Sequence, residues 1–185
     1  FIDRAASYQF VAPAGWTLFR PNEPEYFKLW TLPIASDTTV QKLLTNAQNA
    51  SPDIFRVMGV DLRDGHIRPD FIINFDVQWN RTVEGSYDKV FDAVKQTYSN
   101  LSTTMSYKTL SSNVVTTPQG LEAGIMEFDI TLKTQLSEKK VYEKQIILKT
   151  KAGYYFIRFD TTYDFKDLTL PEFEQVLASL KAHTQ

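Results

Sequence analysis

The chain has 185 residues, 43% of them hydrophobic and 23% charged. That suits one globular domain, or one domain with a sizeable insertion, that folds without disulfides or metal. A formal net charge of −2 gives no positive field for nucleic acid, and the lack of cysteine excludes disulfides, thiolate zinc sites, iron–sulfur clusters and cysteine nucleophiles.

The first strand signal is Ser7 to Ala12, where Tyr8 and Phe10 alternate with Gln9. Pro13-Ala14-Gly15 breaks it, and Trp16 to Phe19 begins the next apolar piece. Pro21-Asn22-Glu23-Pro24 is a turn cluster. Tyr26 to Leu32 reads as a strand, apolar on both sides and stopped by Pro33. The period then changes. Val40, Leu43, Leu44 and Ala47 fall at helical spacing over Asp37–Asn49, with Ser36 or Asp37 as cap. Ser51-Pro52-Asp53 predicts a second short helix that Gly59 ends. Residues 36–59 thus read as a helical insert, a hairpin or lid between strands. Val60–Leu62 reads as a short strand and Asp64-Gly65 as a tight turn.

Asp70–Trp79 is the cleanest strand. Phe71, Ile73, Phe75, Val77 and Trp79 take one face, and Ile72, Asn74, Asp76 and Gln78 the other. Gly85-Ser86 opens a helix to about Leu101, with Tyr87, Val90, Phe91, Val94, Tyr98 and Leu101 as its buried stripe. Tyr107–Leu110 and Asn113–Thr116 are weaker strands, and Pro118-Gln119-Gly120 is a turn. Glu122–Lys133 is a long strand with Met126, Phe128, Ile130 and Leu132 inward. A polar loop over residues 136–140 leads to the hairpin Val141–Thr162, turning at Lys151-Ala152-Gly153. Its return strand places Tyr155, Ile157 and Phe159 on one face, and Tyr154, Phe156, Arg158 and Asp160 on the other. Leu170 to about Ala182 is the covering helix. Thr169 and Glu172 match a capping box, and Leu168 with Phe173 a hydrophobic staple.

In this order of elements, Tyr8-Gln-Phe-Val-Ala-Pro13-Ala-Gly15-Trp16 resembles the opening of the PsbP-like family, an aromatic strand followed by Pro-x-Gly-Trp. The family is named for the extrinsic subunit of the photosystem II oxygen-evolving complex, and its superfamily includes periplasmic lipoproteins. The resemblance runs through the Asp70–Trp79 strand, the Tyr87–Leu101 helix, the meander and the closing Phe173–Leu180 helix. The 36–59 segment resembles the version in exported bacterial members. The resemblance implies an α+β, α/β/α sandwich, with a central antiparallel β-sheet flanked by helices on both faces. It also implies a non-enzymatic role outside the cytoplasm, often at a membrane complex. Nothing matches the metal-binding positions of the photosynthetic protein, and only the structural Pro13-Gly15-Trp16 turn is carried over.

The sequence offers little for catalysis. His66, in Asp61-Leu-Arg-Asp64-Gly65-His66, reads as part of a polar hairpin turn rather than a metal loop, and His183 sits near the chain end. No nucleophile elbow, zinc-protease motif or phosphate-binding loop occurs. Glu127 and Asp129 share a strand face and read as a solvated or helix-edge pair. Trp30, Trp79, Tyr154 and Phe156 cannot all face one helix layer, so they are the candidates for ligand or partner contact. These readings converge on a single-domain, monomeric, non-catalytic accessory or assembly factor without metal or cofactor. It is expected outside the cytoplasm (periplasm, cell surface or thylakoid lumen), where it docks on a membrane protein complex. Phe1 at the start of the chain leaves room for a removed leader or lipid anchor. The alternative is a ligand-binding module with an apolar cleft between the inserted helices and the sheet, and a hydrolase comes third. A flat exposed aromatic patch favours docking. A buried acid pair of shifted protonation inside a cleft weighs against both leading readings.

Overall fold

The computed structural model describes residues 1–101, 105–133 and 138–183. The predicted hairpin lies at the middle of its main sheet. Strand β8 (Glu138–Lys149) and strand β9 (Tyr154–Thr162) pair antiparallel from Val141↔Thr162 to Lys149↔Tyr154. Gly153 closes the turn at φ +79, a conformation that costs glycine nothing. Ile146, Ile147 and Leu148 are all fully buried, so β8 is covered on both faces.

The other strands extend this pair in both directions. β7 (Glu122–Lys133) and β6 (Met105–Thr116) lie beyond β8. β5 (Asn74–Asn80), β4 (Phe55–Val60) and β3 (Thr17–Phe19) lie beyond β9. The result is a seven-stranded antiparallel sheet of order β3-β4-β5-β9-β8-β7-β6. The two weak strand segments of the sequence are one strand, β6, interrupted by an irregularity at Leu110.

One face of the sheet is closed by helix α4 (Lys166–Ser179) and the N-terminal segment. Phe173 stacks on Phe159 with centroids 4.7 Å apart, and Trp16 and Phe10 pack on Phe75. The Pro13-Gly15-Trp16 turn delivers Trp16 to this core, with Gly15 at φ +80. Short strands β1 (Ile2–Asp3), β2 (Tyr8–Gln9) and β10 (Lys181–Ala182) form a second small sheet. The Ser7–Ala12 strand is therefore only two residues long.

The opposite face carries two groups of helices. Helix α3 (Tyr87–Asn100) lies over β6 to β8, where Gly124 lets the Phe91 and Tyr87 rings reach the backbone. Helices α1 (Pro24–Leu29) and α2 (Thr38–Gln48) lie over β3 and β4. Tyr26, Leu29, Val40, Leu44 and Ala47 form a separate apolar core there with Phe19, Val60 and Ile72. The sandwich of helices around a central antiparallel sheet is the architecture that the family resemblance implies.

Other segments also differ from the sequence expectation: the Asp70–Trp79 strand begins only at Asn74, and Leu101, expected in the buried stripe of α3, is exposed. Tyr26–Leu32 is not a strand. Pro24 at the first helical position, Glu25 in the first turn and Lys28 in the last favour helix α1. Tyr26 and Leu29, three apart, then face the core together. Residues 51–59 do not form a second helix, so the helical part of the insert ends at Gln48. Val57 opposes Val77, and Gly59 leaves room for the Phe75 ring. This ladder outweighs the local helix-start signals. Finally, α4 begins at Lys166. Thr169 is fully buried inside the helix and its hydroxyl bonds the Phe165 carbonyl and Thr161, so it is not the cap. Leu168 is exposed while Phe173 is buried, so the staple does not form. Asp37, by contrast, caps α2 as expected, accepting from the Thr39 and Val40 amides at 2.7 and 3.2 Å.

Candidate functional site

The four candidate aromatics are not brought together. Trp79 is buried on the α4 face, where its Nε1 donates to the Ala152 carbonyl at 3.0 Å and Arg81 lies over its ring. Tyr154 is buried on the α3 face, meets Tyr87 edge-on and donates to the Gly85 carbonyl at 2.7 Å. Phe156 is half-buried on that same face. Trp30 stands apart, at the end of α1. Two of the four rings are thus fixed in cores.

Helix α1 presents an exposed apolar surface. Its Tyr26 side chain is fixed in the core by a hydrogen bond to the Leu44 carbonyl at 3.0 Å. Around it Phe27 is 54% exposed, Trp30 39% and, just beyond the helix, Leu32 43%. Phe27 and Trp30 both contact the Tyr26 ring edge-on, at 5.2 and 6.5 Å. The patch is therefore rigid at its base and open to solvent at its top. Reading this segment as a two-sided strand hid Phe27 and Leu32. The helix-start signal at Pro24 could have found them.

A second feature lies between the two helix groups, on β5, β9 and β8. Arg158 donates through Nε and Nη2 to Asp76 Oδ2 at 2.9 and 2.5 Å, and Gln78 donates to Asp76 Oδ1 at 2.7 Å. Beside them Glu143 pairs across the ladder with Asp160. Tyr98, reaching down from α3, donates a very short hydrogen bond to Glu143 Oε1. Gln145 donates to that same oxygen at 2.6 Å and to the Tyr98 hydroxyl at 2.7 Å. Burial, followed by the neighbouring Glu143 charge, pushes the Asp160 carboxyl well above the usual carboxylate range. Burial and then the Glu143 charge also push the Tyr98 hydroxyl up. One acid of raised pKa, Asp160, therefore lies beside Glu143, and its side chain is 15% exposed. The alternation on Asn74-Asp76-Gln78 and Phe156-Arg158-Asp160 was its sequence signal. The Tyr98 contact could come only from the packing of α3.

The His66 loop forms a third polar group. Arg63 bridges Asp61 and Glu172, each at 2.7 Å, and His66 Nδ1 lies 2.6 Å from Asp61 Oδ2. Trp16 Nε1 donates to Glu172 at 2.9 Å. Burial raises the Asp61 carboxyl, but hydrogen bonds from Arg63 and His66 outweigh it and hold the pKa below the usual value. These contacts tie the loop to α4, more than the polar hairpin turn read from sequence. Among the described residues no cluster of three or more His, Asp or Glu side chains is arranged to hold a metal ion. None of the described helices is long and apolar enough to cross a membrane.

The space under α1 and α2, where an apolar cleft was the alternative, is filled by Tyr26, Val40 and Leu44 on Phe19, Val60 and Ile72.

Sequence comparison matches no family model and no curated protein. Comparison of folds does find similar structures. Cyanobacterial PsbP (CyanoP) from Synechocystis sp. PCC 6803 superposes with a TM-score of 0.59 at 14% identity, over 98% of this chain and 90% of that one. LpqN, involved in cell envelope biogenesis of Mycobacterium tuberculosis, superposes with a TM-score of 0.52 at 9% identity, over 96% and 83%. At these identities the likeness is one of fold, and the fold is PsbP-like.

Proposed function

We propose that this chain is a non-catalytic accessory or assembly factor that docks on a membrane protein complex outside the cytoplasm. The observation that carries the reading is the α1 patch of Phe27, Trp30 and Leu32. Aromatic side chains with fixed bases lose little freedom on binding and are frequent energetic centres of protein interfaces. The resemblance to the PsbP-like family supports the same role. So does the fold shared with LpqN, whose part in cell envelope biogenesis places that protein's work at the envelope. Within the polar strip, the acids are engaged by protein groups. Asp76 is held by Arg158 and Gln78, and Glu143 by Tyr98 and Gln145. Such a satisfied network supports α3 on the sheet.

The test is affinity capture from a detergent-solubilised envelope extract of the source organism. Wild type, the double variant Phe27→Ser/Trp30→Ser and Asp160→Asn are compared. The expected result is one reproducible membrane complex, recovered at least tenfold less by the α1 variant and undiminished by Asp160→Asn. Equal recovery by the α1 variant, or recovery of nothing specific by wild type, overturns the reading. Loss confined to Asp160→Asn moves the site to the polar strip.

A further inference from the structure

Strand β6 is the outer strand of the main sheet, and among the described residues no strand pairs with its free side. It is 12 residues long, against three for β3 at the opposite edge. In an antiparallel edge strand every second residue turns its amide and carbonyl outward, where another chain can pair with them. Folded proteins commonly blunt such an edge with lysine or a bulge. β6 has both, but neither lies beyond Leu110. Lys108 is its single charged residue, and its irregularity falls at Leu110. The six residues that follow, Ser111-Ser-Asn-Val-Val-Thr116, carry no charge and no proline.

This second half is also uncovered by side chains. Leu110 is 41% exposed and Val114 44%. Ser112, Asn113 and Thr116 are exposed as well. Ser112 and Val114 lie opposite Met126 and Gly124, on the face that α3 covers. Ser111, Asn113 and Val115 lie opposite Glu127, Ile125 and Ala123, on the α4 face.

The pattern of this segment selects its occupant. Two identical strands in symmetric antiparallel pairing are related by a two-fold axis normal to the sheet. One residue then stands opposite itself, and each face of the sheet continues into the other copy. With the axis at Asn113, Val114 meets Ser112 and Val115 meets Ser111. With the axis at Val114, that valine meets its counterpart and Asn113 meets Val115. In both registers the paired residues share a face and are uncharged. Lys108 falls past the end of the pairing, so no like charges stand opposite each other. The short β3 edge gives β6 no long second edge to meet. Pairing therefore closes as a dimer instead of growing head to tail.

We infer that Leu110–Thr116 of β6 is a self-association edge, on which a second copy of this chain pairs antiparallel and joins the two main sheets into one. The α1 patch lies over β3 and β4, at the far edge, and stays open in such a dimer.

The test is sedimentation velocity of the full chain from about 1 to 300 µM, a range over which mass action reveals a reversible dimer. The expected result is a shift from 21.3 kDa toward twice that mass. Val114→Lys sets like charges across the axis and should weaken the dimer about tenfold or more. Its side chain is exposed, so the melting temperature of the dilute protein should stay within about 2 °C of wild type. Phe27→Ser/Trp30→Ser should leave the dimer unchanged. The chain has no cysteine, so one introduced thiol reports the register. Asn113→Cys or Val114→Cys should give a disulfide-linked dimer under mild oxidation, and Lys108→Cys should not. A single 21.3 kDa species at every concentration overturns the inference. So does a dimer untouched by Val114→Lys, or one lost in the α1 variant. Cross-linking at position 108 as strong as at 113 or 114, or mass that grows beyond two copies, overturns it as well.

Discussion

At Gly153 the chain turns between β8 and β9 with φ +79, and an added Cβ would overlap the Asn80 carbonyl oxygen. Neither the backbone nor its partner can yield there. Gly153→Ala is expected to cost about 3 kcal/mol or more in urea unfolding, from overpacking and left-handed strain combined. At Gly59 the added Cβ would meet the fully buried Phe75 ring rather than backbone, and no left-handed strain is added, so Gly59→Ala should cost about 1–3 kcal/mol. The acids divide in the same way by surroundings. Asp160 holds its proton more tightly in the folded chain than in the unfolded one, owing to burial and then Glu143. Its favourable contribution is complete below the ordinary Asp pKa of about 3.9 and is lost as pH rises through the raised folded value. Asp3, Asp61 and Glu172 are the reverse. Burial raises each, but hydrogen bonds from Arg56, from Arg63 and His66, and from Arg63 and Trp16 outweigh it. Their contribution is present above about pH 4 and is lost as pH falls through their lowered values. Asp160→Asn, permanently neutral, should therefore gain stability over wild type at pH 7 relative to pH 4, measured as urea midpoints. An equal difference at the two pH values would refute the protonated Asp160.

Among the elements, α4 separates a local signal from a packed one. As a helix cap, Thr169 would tolerate serine, because only the hydroxyl caps. As observed it is buried, with its hydroxyl on Thr161 at 2.9 Å and on the Phe165 carbonyl at 2.9 Å. Thr169→Ser keeps those bonds and removes one buried methyl, an expected loss of about 1 kcal/mol by urea unfolding. A neutral result would restore the cap. Pro171 then stands inside the helix rather than at its start. Helix α1 shows the same competition resolved the other way. Its start signals were present in the sequence, but six residues carry too little periodicity to display two faces. The long strands β5 and β7 were legible because period two held over many residues. Their facing was as expected from Phe75 to Trp79 in β5 and from Met126 to Ile130 in β7.

For the whole molecule, the consequence of the topology is the strip between the two helix groups. β5 and β9 are central, yet one of their faces carries Asp76, Arg158 and Asp160. Helices α1 and α2 settle on β3 and β4 with their own core, and α3 settles over β6 to β8. The polar alternation on both strands announced that face in the sequence. Its closure by Glu143, Gln145 and Tyr98 did not, because they come from another strand and a helix, Tyr98 lying 45 and 47 positions from Glu143 and Gln145.

The sequence alone determined the elements whose side chains repeat. These are the two-period strands, the three-to-four-period helices α2 and α3, and the glycine turns. Repetition is a local property, and burial of the repeated face is its direct consequence. Tertiary structure alone decided residues 51–60, where pairing with β5 overrode a helix start, and the true beginning of α4. It also decided which aromatics remain in water. Trp79 and Tyr154 entered cores, while Phe27 and Trp30 did not. Each of those outcomes depends on which distant segment arrives beside the residue, and an unaligned sequence does not record arrival.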